Sequence, residues 1–158
     1  MPAVMTIPEL ERFLAAEFPQ AFYPESGLSI EAVWDGGCLV RQAFREVSLR
    51  PGGTISGPTM MALADVALYV AVLAAIGPVP LAVTINLNIN FLRKPGRCDL
   101  TAEARLLKLG KRLATGEVTL RCEGEKEAVA HVTATYSIPP DRLQASVVSY
   151  NHSCKRLS

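Results

Sequence analysis

The chain has few of the residues from which metal centres and disulfide scaffolds are built. Its only histidines are His131 and His152. Its four cysteines lie far apart and form no Cys-x-x-Cys pair: Cys38, Cys98, Cys122 and Cys154. Structural zinc needs four ligands converging in tetrahedral geometry, which this pattern does not offer. Because a chain of this length can hold together through its core, we expect reduced cysteines and no bound metal.

The sequence also lacks an excess of charge and a long uninterrupted apolar run. The formal net charge is +1, which argues against a nucleic-acid-binding surface. The most apolar stretch, residues 60–76, contains Asp65 and ends at Gly77-Pro78, so it falls short of the ~20 residues of a membrane span. The first residues lack the basic start and apolar run of a signal peptide. We therefore predict a cytoplasmic protein with no membrane segment.

The size of the chain and its hydrophobic pattern predict one α+β domain. The chain has 158 residues, of which 49% are hydrophobic, enough for one compact core. We predict a domain over residues 1–140, followed by a tail, residues 141–158, that forms a short helix or is disordered. Pattern and turn residues place helices at 7–18 and 59–76, a hairpin at 28–34 and 38–47, a loop at 51–58, and strands at 81–93, 99–109, 112–122 and 128–138.

The predicted architecture is a large antiparallel sheet packed on one long apolar helix, with an extra helix at the N-terminus. The alternation of residues 81–93 predicts that Val83, Ile85 and Leu87 share one face of a strand and Thr84 and Asn86 the other. A single sheet leaves an edge strand and, we expect, an apolar outer face. Pairing with further copies of the chain would cover both.

Asp65 is the residue most indicative of function. It lies inside the predicted core helix, surrounded by Ala, Leu, Met and Val. An unpaired polar group in apolar surroundings costs ~2–7 kcal/mol, and carboxylates kept in such places often belong to active sites. The structural alternative is that Asp65 faces solvent or hydrogen-bonds a nearby hydroxyl such as that of Tyr69.

The segment before this helix, residues 52–58, is rich in glycine and proline. Backbone N–H groups at a helix start have no intrahelical partner and suit a developing negative oxygen. Gly57 would let a substrate approach the backbone closely, whereas Pro58 contributes no N–H. The alternative is an ordinary helix entry in which these residues only turn the chain.

Several motifs resemble the phenylacetyl-CoA thioesterase-like branch of the hotdog superfamily. They are Leu63-Ala64-Asp65 in the helix, Phe91-Leu92-Arg93-Lys94-Pro95 at a strand end, Gly110-Lys111-Arg112 at a turn, and the strand Ala130 to Tyr136. The resemblance spans residues 28–137 and preserves the order of the elements. One difference is that Ser56-Gly57-Pro58 stands where the family has His-Gly-Gly.

The resemblance implies a hotdog fold and hydrolysis of a small or medium acyl- or aryl-CoA. It implies that Asp65 acts as general base or nucleophile, that the Gly57 N–H polarises the thioester carbonyl, and that Thr84 helps to hold the water. It implies a homo-oligomer, a dimer or a tetramer, with each site between two subunits. Coenzyme A would enter as part of the substrate, so no cofactor is expected.

A wider set of residues is predicted to contact the substrate. Basic clusters at strand ends would recruit the phosphates of coenzyme A, although short charge clusters are often just solvated turns. Their members are Arg93, Lys94 and Arg97 in one and Lys108, Lys111 and Arg112 in the other. Apolar and small polar residues around the helix would line the acyl group: Ser56, Thr59, Met60, Met61, Leu68 and Tyr69.

Three other functions are compatible with the sequence. A hotdog dehydratase or hydratase usually pairs a histidine with a carboxylate, but no histidine precedes His131. A non-catalytic acyl-CoA-binding module is favoured by the absence of the loop histidine. A structural oligomer would use Asp65 as a buried polar group that fixes packing.

Overall fold

The computed structural model describes residues 1–140, so the predictions for the tail lie outside the described residues. The chain forms, in order, α1 (Ile7–Glu17), β1 (Leu28–Trp34), β2 (Gly37–Gln42), a 3-10 turn (Glu46–Ser48), β3 (Leu49–Arg50), β4 (Thr54–Ile55), α2 (Gly57–Ile76), β5 (Val83–Phe91), β6 (Leu100–Leu109), β7 (Leu113–Cys122) and β8 (Ala128–Ser137). These elements confirm the predicted α+β composition.

Six strands form one antiparallel sheet, in the order β1-β2-β6-β7-β8-β5. Strands β3 and β4 pair separately as a short ribbon. Helix α2 packs along the inner face of the sheet, against β2, β6 and β7 above all. The structure confirms the predicted hotdog architecture, a long antiparallel sheet wrapped around one apolar helix, with β1 and β5 as the sheet edges.

Helix α2 is buried on most of its circumference. Within residues 1–140 it is the one helix long and apolar enough to cross a membrane, and 67% of its most apolar window is buried in the fold. Its exposed residues, Pro58, Met61 and Ala62, lie on one stripe with the half-buried Asp65, because positions i, i+3, i+4 and i+7 share a helix face. The side chain of Leu68 packs on Gly116 of β7, where a Cβ would collide with it.

The predicted amphipathic helix at the N-terminus is present as α1, which packs on β1 and α2. Thr6 caps it: its hydroxyl accepts a hydrogen bond from the Glu9 N–H at 3.4 Å, and the Glu9 carboxylate accepts one from the Thr6 N–H at 2.7 Å. This reciprocal capping box fixes where the helix begins. Leu10 and Leu14, at helical spacing, are fully buried.

The segment predicted as a loop, residues 51–58, is more ordered than expected. Thr54 and Ile55 pair with β3, and helix α2 begins at Gly57, two residues earlier than predicted. The reason is Ser56, whose hydroxyl caps the helix by accepting a hydrogen bond from the Thr59 N–H at 3.4 Å. Gly57 and Pro58 are therefore the first two helical residues.

The outer face of the sheet is polar, so the prediction of an apolar outer face was wrong. Glu117 on β7 accepts hydrogen bonds from Arg105 at 3.1 Å and lies 3.0 Å from the His131 ring. Arg121 pairs with Glu103 at 3.2 Å. The Arg105 guanidinium, followed by His131, holds the pKa of Glu117 below its usual value. Charged cross-strand pairs of this kind suit a solvated face.

The prediction that all cysteines are reduced was wrong for two of them. Cys98 and Cys122 form a disulfide with a Cα–Cα separation of 5.7 Å. Sequence spacing did not reveal the pair, because it depends on the alignment of β6 with β7, in which Leu100 lies opposite Cys122. Cys38 is a buried free thiol, and burial raises its pKa to about 12.

Candidate active site

Asp65 is held by two hydroxyl groups from the sheet. The Thr84 hydroxyl donates to Asp65 Oδ1 at 2.5 Å. The Tyr136 hydroxyl lies 2.6 Å from the same oxygen and 2.7 Å from the main-chain carbonyl oxygen of Asp65. Within residues 1–140, every buried side-chain oxygen has a hydrogen-bond partner, but no donor in that range contacts Asp65 Oδ2. Oδ2 is therefore not buried: it is the carboxylate oxygen that faces solvent and is free to react.

The Tyr136 hydroxyl remains a donor at any ordinary pH. Burial and the adjacent Asp65 charge both raise the pKa of its phenol above the usual value. The ring is fixed by Tyr69, which stacks on it with centroids 5.9 Å apart and planes 6° apart. The Tyr69 hydroxyl is directed elsewhere, to the carbonyl oxygens of Val79 and Pro80, both at 3.3 Å.

A one-residue bulge in β5 brings Thr84 to Asp65. Thr84 pairs with Tyr136, but the next paired residue on β5 is Asn86, which pairs with Thr135, so Ile85 is an extra residue. Strict alternation would place Thr84 on the same face as Asn86, as the sequence predicted. The bulge reverses the orientation of the β5 residues that precede it, so Thr84 faces inward beside Tyr136. Ile85 is instead 58% exposed at the sheet edge.

Asp65 opens into a cavity of about 300 Å³ at the edge of the sheet. The wall combines aromatic, aliphatic and polar side chains from α1, α2, β5 and β8. The lining residues are Glu17, Phe18, Asp65, Tyr69, Pro80, Ala82, Val83, Thr84 and Tyr136. A solvent-facing carboxylate oxygen beside apolar walls is suited to proton abstraction from water or to direct attack on a carbonyl carbon.

Gly57 lies at the first position of α2, with a free N–H. Within the described residues no acceptor takes that N–H, as expected for a group at a helix start. The ring of Phe91 packs so closely on Gly57 that an added Cβ would lie 3.1 Å from Phe91 Cζ. Gly57 lines a second cavity, of about 480 Å³, with Met60, Phe91, Arg93, Lys94 and residues of the β3–β4 ribbon.

Asp65 and Gly57 do not meet within one chain. They are eight positions apart on α2, about 12 Å along the helix axis. Each lines a different cavity. Strand β5 runs from one cavity to the other. Thr84 lies at the Asp65 cavity, and Phe91 lies at the Gly57 cavity, roughly 20 Å further along the strand. A single site that uses both groups therefore requires a second chain.

The other predicted contact residues divide among several places. Met60, Arg93 and Lys94 line the Gly57 cavity, and Tyr69 lines the Asp65 cavity. Ser56 caps α2, and its hydroxyl lies 2.9 Å from that of Thr59. Met61 is 39% exposed on the open stripe of α2. Leu68 is fully buried against the sheet, because its side of the helix faces β7.

The two basic clusters lie at opposite ends of the sheet. Near Gly57, Arg93 pairs with Glu127, and Arg97 pairs with Glu46 at 2.5 Å. At the Asp65 end, Lys108, Lys111 and Arg112 line an open cavity of about 490 Å³ at the β6–β7 turn. This turn is near Asp65 because Leu113 and Val83 both pair with Ser137.

Sequence reasoning missed Tyr136 as a partner of Asp65. The available signal was its position after Val132 and Ala134 on the inward face of β8, where a hydroxyl needs a partner. The histidine of the described chain, His131, lies on the opposite face of the sheet with Glu117. The histidine–carboxylate pair of a hydratase is therefore not formed around Asp65. Residues 1–140 contain no cluster of three metal-ligating side chains.

Comparisons with known proteins identify the family and agree with the fold. Residues 52–129 match the model of the thioesterase superfamily. A crystal structure of a proposed thioesterase from a Silicibacter species is 47% identical, covers 89% of this chain and 96% of that one, and superposes with a TM-score of 0.80. A variant of the phenylacetic acid degradation protein of Thermus thermophilus is 28% identical, covers 81% and 99% of the two chains, and has a TM-score of 0.64.

A curated relative also matches part of the chain. A proposed esterase of Halobacterium salinarum is 33% identical over 100 residues, which are 60% of this chain and 65% of that protein. The chain thus matches a little less than two thirds of this relative. The Silicibacter protein, by contrast, aligns over nearly its whole length. With its hotdog architecture, the chain belongs to the thioesterase superfamily.

Proposed function

We propose that the protein hydrolyses acyl-CoA thioesters, with Asp65 as the reacting carboxylate. The observation that carries the proposal is the asymmetry of this carboxylate: two hydroxyls bind Oδ1, while Oδ2 faces a cavity. Such an arrangement fixes the orientation of the side chain before substrate arrives. A preorganised base or nucleophile is what thioester hydrolysis needs, and a thioester is activated enough to react without a metal.

The reaction can follow either of two routes. In one, Asp65 Oδ2 takes a proton from water, the water oxygen bonds to the thioester carbonyl carbon, and the carbon–sulfur bond breaks. In the other, Oδ2 attacks the carbonyl carbon directly and water then hydrolyses the resulting anhydride. Both release the free acid and the thiol of coenzyme A. In both, the Gly57 N–H donates a hydrogen bond to the negatively charged carbonyl oxygen. One such donor typically stabilises the transition state by roughly 3–4 kcal/mol.

The active unit is a homodimer in which each site takes Asp65 from one chain and Gly57 from the other. Two features support this: among residues 1–140, β5 is an edge strand of the sheet, and α2 carries the exposed stripe of Pro58, Met61 and Ala62. Antiparallel pairing of β5 with its copy about Leu87 would set Thr84 opposite the partner's Asn90, next to the partner's Phe91 and Gly57. Two equivalent sites result from one two-fold axis.

This pairing also gathers the basic residues. Lys111 and Arg112 lie at the Asp65 end of one chain, and Arg93 and Lys94 lie at the Gly57 end of the other. The phosphates of coenzyme A would bind at the rim of the shared site, because ammonium and guanidinium groups are the usual partners of phosphate.

A non-catalytic acyl-CoA-binding module is the second candidate. It is favoured by Ser56-Gly57-Pro58, since Ser56 is engaged in capping α2 and Pro58 offers no N–H. Of the three residues Ser56-Gly57-Pro58, Gly57 alone can donate a backbone hydrogen bond to the thioester carbonyl oxygen.

An assay of the purified protein against a panel of acyl-CoAs, with detection of free coenzyme A thiol, separates the two candidates. The panel runs from acetyl-CoA to dodecanoyl-CoA and includes aryl-CoAs. We expect turnover of at least one small or medium thioester. Absence of turnover throughout, from folded protein that still binds coenzyme A esters in calorimetry, would contradict hydrolysis and favour the binding module.

The hydroxyls that hold Asp65 should affect kcat rather than KM. Tyr136→Phe removes one hydrogen bond to a charged group, worth ~1.5–3 kcal/mol, so we expect kcat to fall about tenfold or more. KM should change little, because Tyr136 touches the carboxylate and not coenzyme A. Thr84→Val should act similarly. Steady-state kinetics on the best substrate of the panel measures both.

Kinetics in an Asp65→Asn background separate this role from general destabilisation. If Tyr136 acts through the carboxylate, adding Tyr136→Phe to Asp65→Asn should lower the residual rate little further, since coupled residues are not additive. A full tenfold loss in both backgrounds would contradict the positioning role. Thr133→Val, on the solvated face of the same strand, is the control and should leave kcat unchanged.

A further inference from the structure

A third cavity, of about 430 Å³, lies between α2 and the segment that joins α1 to β1. Its volume is within the range of small-molecule sites, roughly 300–1,000 Å³. Apolar and polar side chains both line it, among them Leu28, Leu63, Val66, Arg45, Ser48 and Thr59. Neither Asp65 nor Gly57 lines this cavity.

Arg45 is the unusual residue of this cavity. It is half-buried, and its guanidinium donates only to neutral oxygens, the Ser26 carbonyl at 3.4 Å and the Tyr23 hydroxyl at 3.3 Å. Within residues 1–140, no carboxylate lies within ion-pairing distance of it. The other half-buried arginines of that part, Arg41 and Arg121, are paired with glutamates.

An unpaired cation in a partly desolvated site is unfavourable unless an anion joins it. The two hydrogen bonds of Arg45 are long and leave most of its five N–H donors free. The apolar part of the cavity, with Leu28, Leu63 and Val66, suits a hydrocarbon body. The cavity therefore matches a ligand that has a short apolar chain and one negatively charged group.

The cavity adjoins the position proposed for the thioester carbonyl. Thr59, on its wall, is two residues from Gly57, and its hydroxyl lies 2.9 Å from that of Ser56. Ser48, also on the wall, accepts a hydrogen bond at its carbonyl oxygen from the Ser56 N–H, at 2.9 Å. The wall of this cavity therefore begins within one helical turn of Gly57.

We propose that this cavity binds the acyl group of the substrate and that Arg45 pairs with a carboxylate at the far end of that group. The substrate class is then the CoA monothioesters of dicarboxylic acids. The inference rests on the proposed function, which it makes more specific. The coenzyme A phosphates have better partners in Lys94, Lys111 and Arg112, which are exposed at the cavity rims.

Two non-hydrolysable thioethers test the inference by isothermal titration calorimetry. S-(5-carboxypentyl)-CoA and S-hexyl-CoA have six-carbon chains and differ in the terminal carboxylate. We expect wild-type protein to bind the carboxylated compound about ten- to hundredfold more tightly. This ratio of Kd values is the usual effect of one hydrogen bond between charged groups. Arg45→Met should abolish this preference and leave the Kd of S-hexyl-CoA nearly unchanged. Arg105→Met, on the outer face, should keep the preference.

The outcomes are distinct. Equal or tighter binding of S-hexyl-CoA by wild-type protein would overturn the inference, as would a preference that survives Arg45→Met. If Arg45→Met weakens both compounds equally, Arg45 binds a phosphate of coenzyme A or supports the fold, and the inference again fails. Because binding is measured without turnover, a protein that shows the preference but hydrolyses no thioester would contradict only the proposed hydrolysis.

Discussion

Replacement of Asp65 by asparagine is expected to lower kcat for thioester hydrolysis by about two to four orders of magnitude, the usual contribution of a positioned base. Asparagine has the shape of aspartate and still offers a carbonyl oxygen to the Thr84 and Tyr136 hydroxyls. It cannot accept a proton from water or act as the nucleophile. KM should therefore remain within a few-fold, and the release of coenzyme A thiol measures the loss.

Thermal unfolding of the same variant distinguishes catalysis from packing. If the Asp65 carboxylate is needed for the reaction and not for packing, Asp65→Asn should leave Tm within a few degrees of wild type or raise it, since a half-buried charge is removed. Turnover within threefold of wild type would contradict the assignment of Asp65 and favour a purely structural role. A large loss of Tm would instead mean that the charge itself holds the hydroxyls in place.

The second large effect is expected at Gly57. Gly57→Pro removes the N–H that we assign to the carbonyl oxygen, and the loss of one such donor typically lowers kcat about 10²–10³-fold. Proline is tolerated at the first helical position, and Ser56, with φ −69° and ψ 151°, has the extended conformation required before proline. The fold should thus survive, as the far-ultraviolet circular dichroism spectrum would show.

Gly57→Ala is the matched control. It adds a Cβ 3.1 Å from Phe91 Cζ, as proline does, but keeps the N–H. The ratio of kcat between the two variants therefore measures the effect of losing the Gly57 N–H, separately from the effect of the added Cβ against Phe91. Equal rates in Gly57→Ala and Gly57→Pro would contradict a role for this N–H and would leave the carbonyl oxygen without its proposed partner.

Sequence patterns predicted the elements of the fold because burial sets their periodicity. Residues such as Leu10 and Leu14 recur at helical spacing, and α2 is apolar on nearly all sides because the sheet surrounds most of it. Asp65 was identified for the same reason, as a charge in an apolar run. These features depend on residues close together in sequence, so they can be predicted without knowing which distant segments pack against them.

The errors concern features that depend on alignment between distant segments. Strict alternation assigned Thr84 to the wrong face, because the extra residue Ile85 becomes evident only when β5 is paired with β8. The Cys98–Cys122 disulfide likewise depends on the alignment of β6 with β7. The polar outer face was missed because its charges pair across strands.

Tyr136 and Arg45 escaped notice for a related reason. Arg45 belongs to no motif, and Tyr136 only ends the strand motif Ala130 to Tyr136. Each acquires its significance from a partner or a cavity supplied by another element. Tyr136 is 71 residues from Asp65 in sequence, and Arg45 is 19 residues from Ser26. Helix capping by Ser56 was predictable in principle, since serine is among the preferred caps.

Mixing inactive subunits tests most directly whether each site is shared between two chains. Asp65→Asn and Gly57→Pro chains, each nearly inactive alone, are unfolded together in equal amounts and refolded. Random pairing makes about half of the dimers mixed, and each mixed dimer has one intact site of two, so we predict about a quarter of wild-type thioesterase activity. Activity no greater than the average of the two parent proteins, with dimers confirmed by light scattering, would contradict a site built from Asp65 of one subunit and Gly57 of the other.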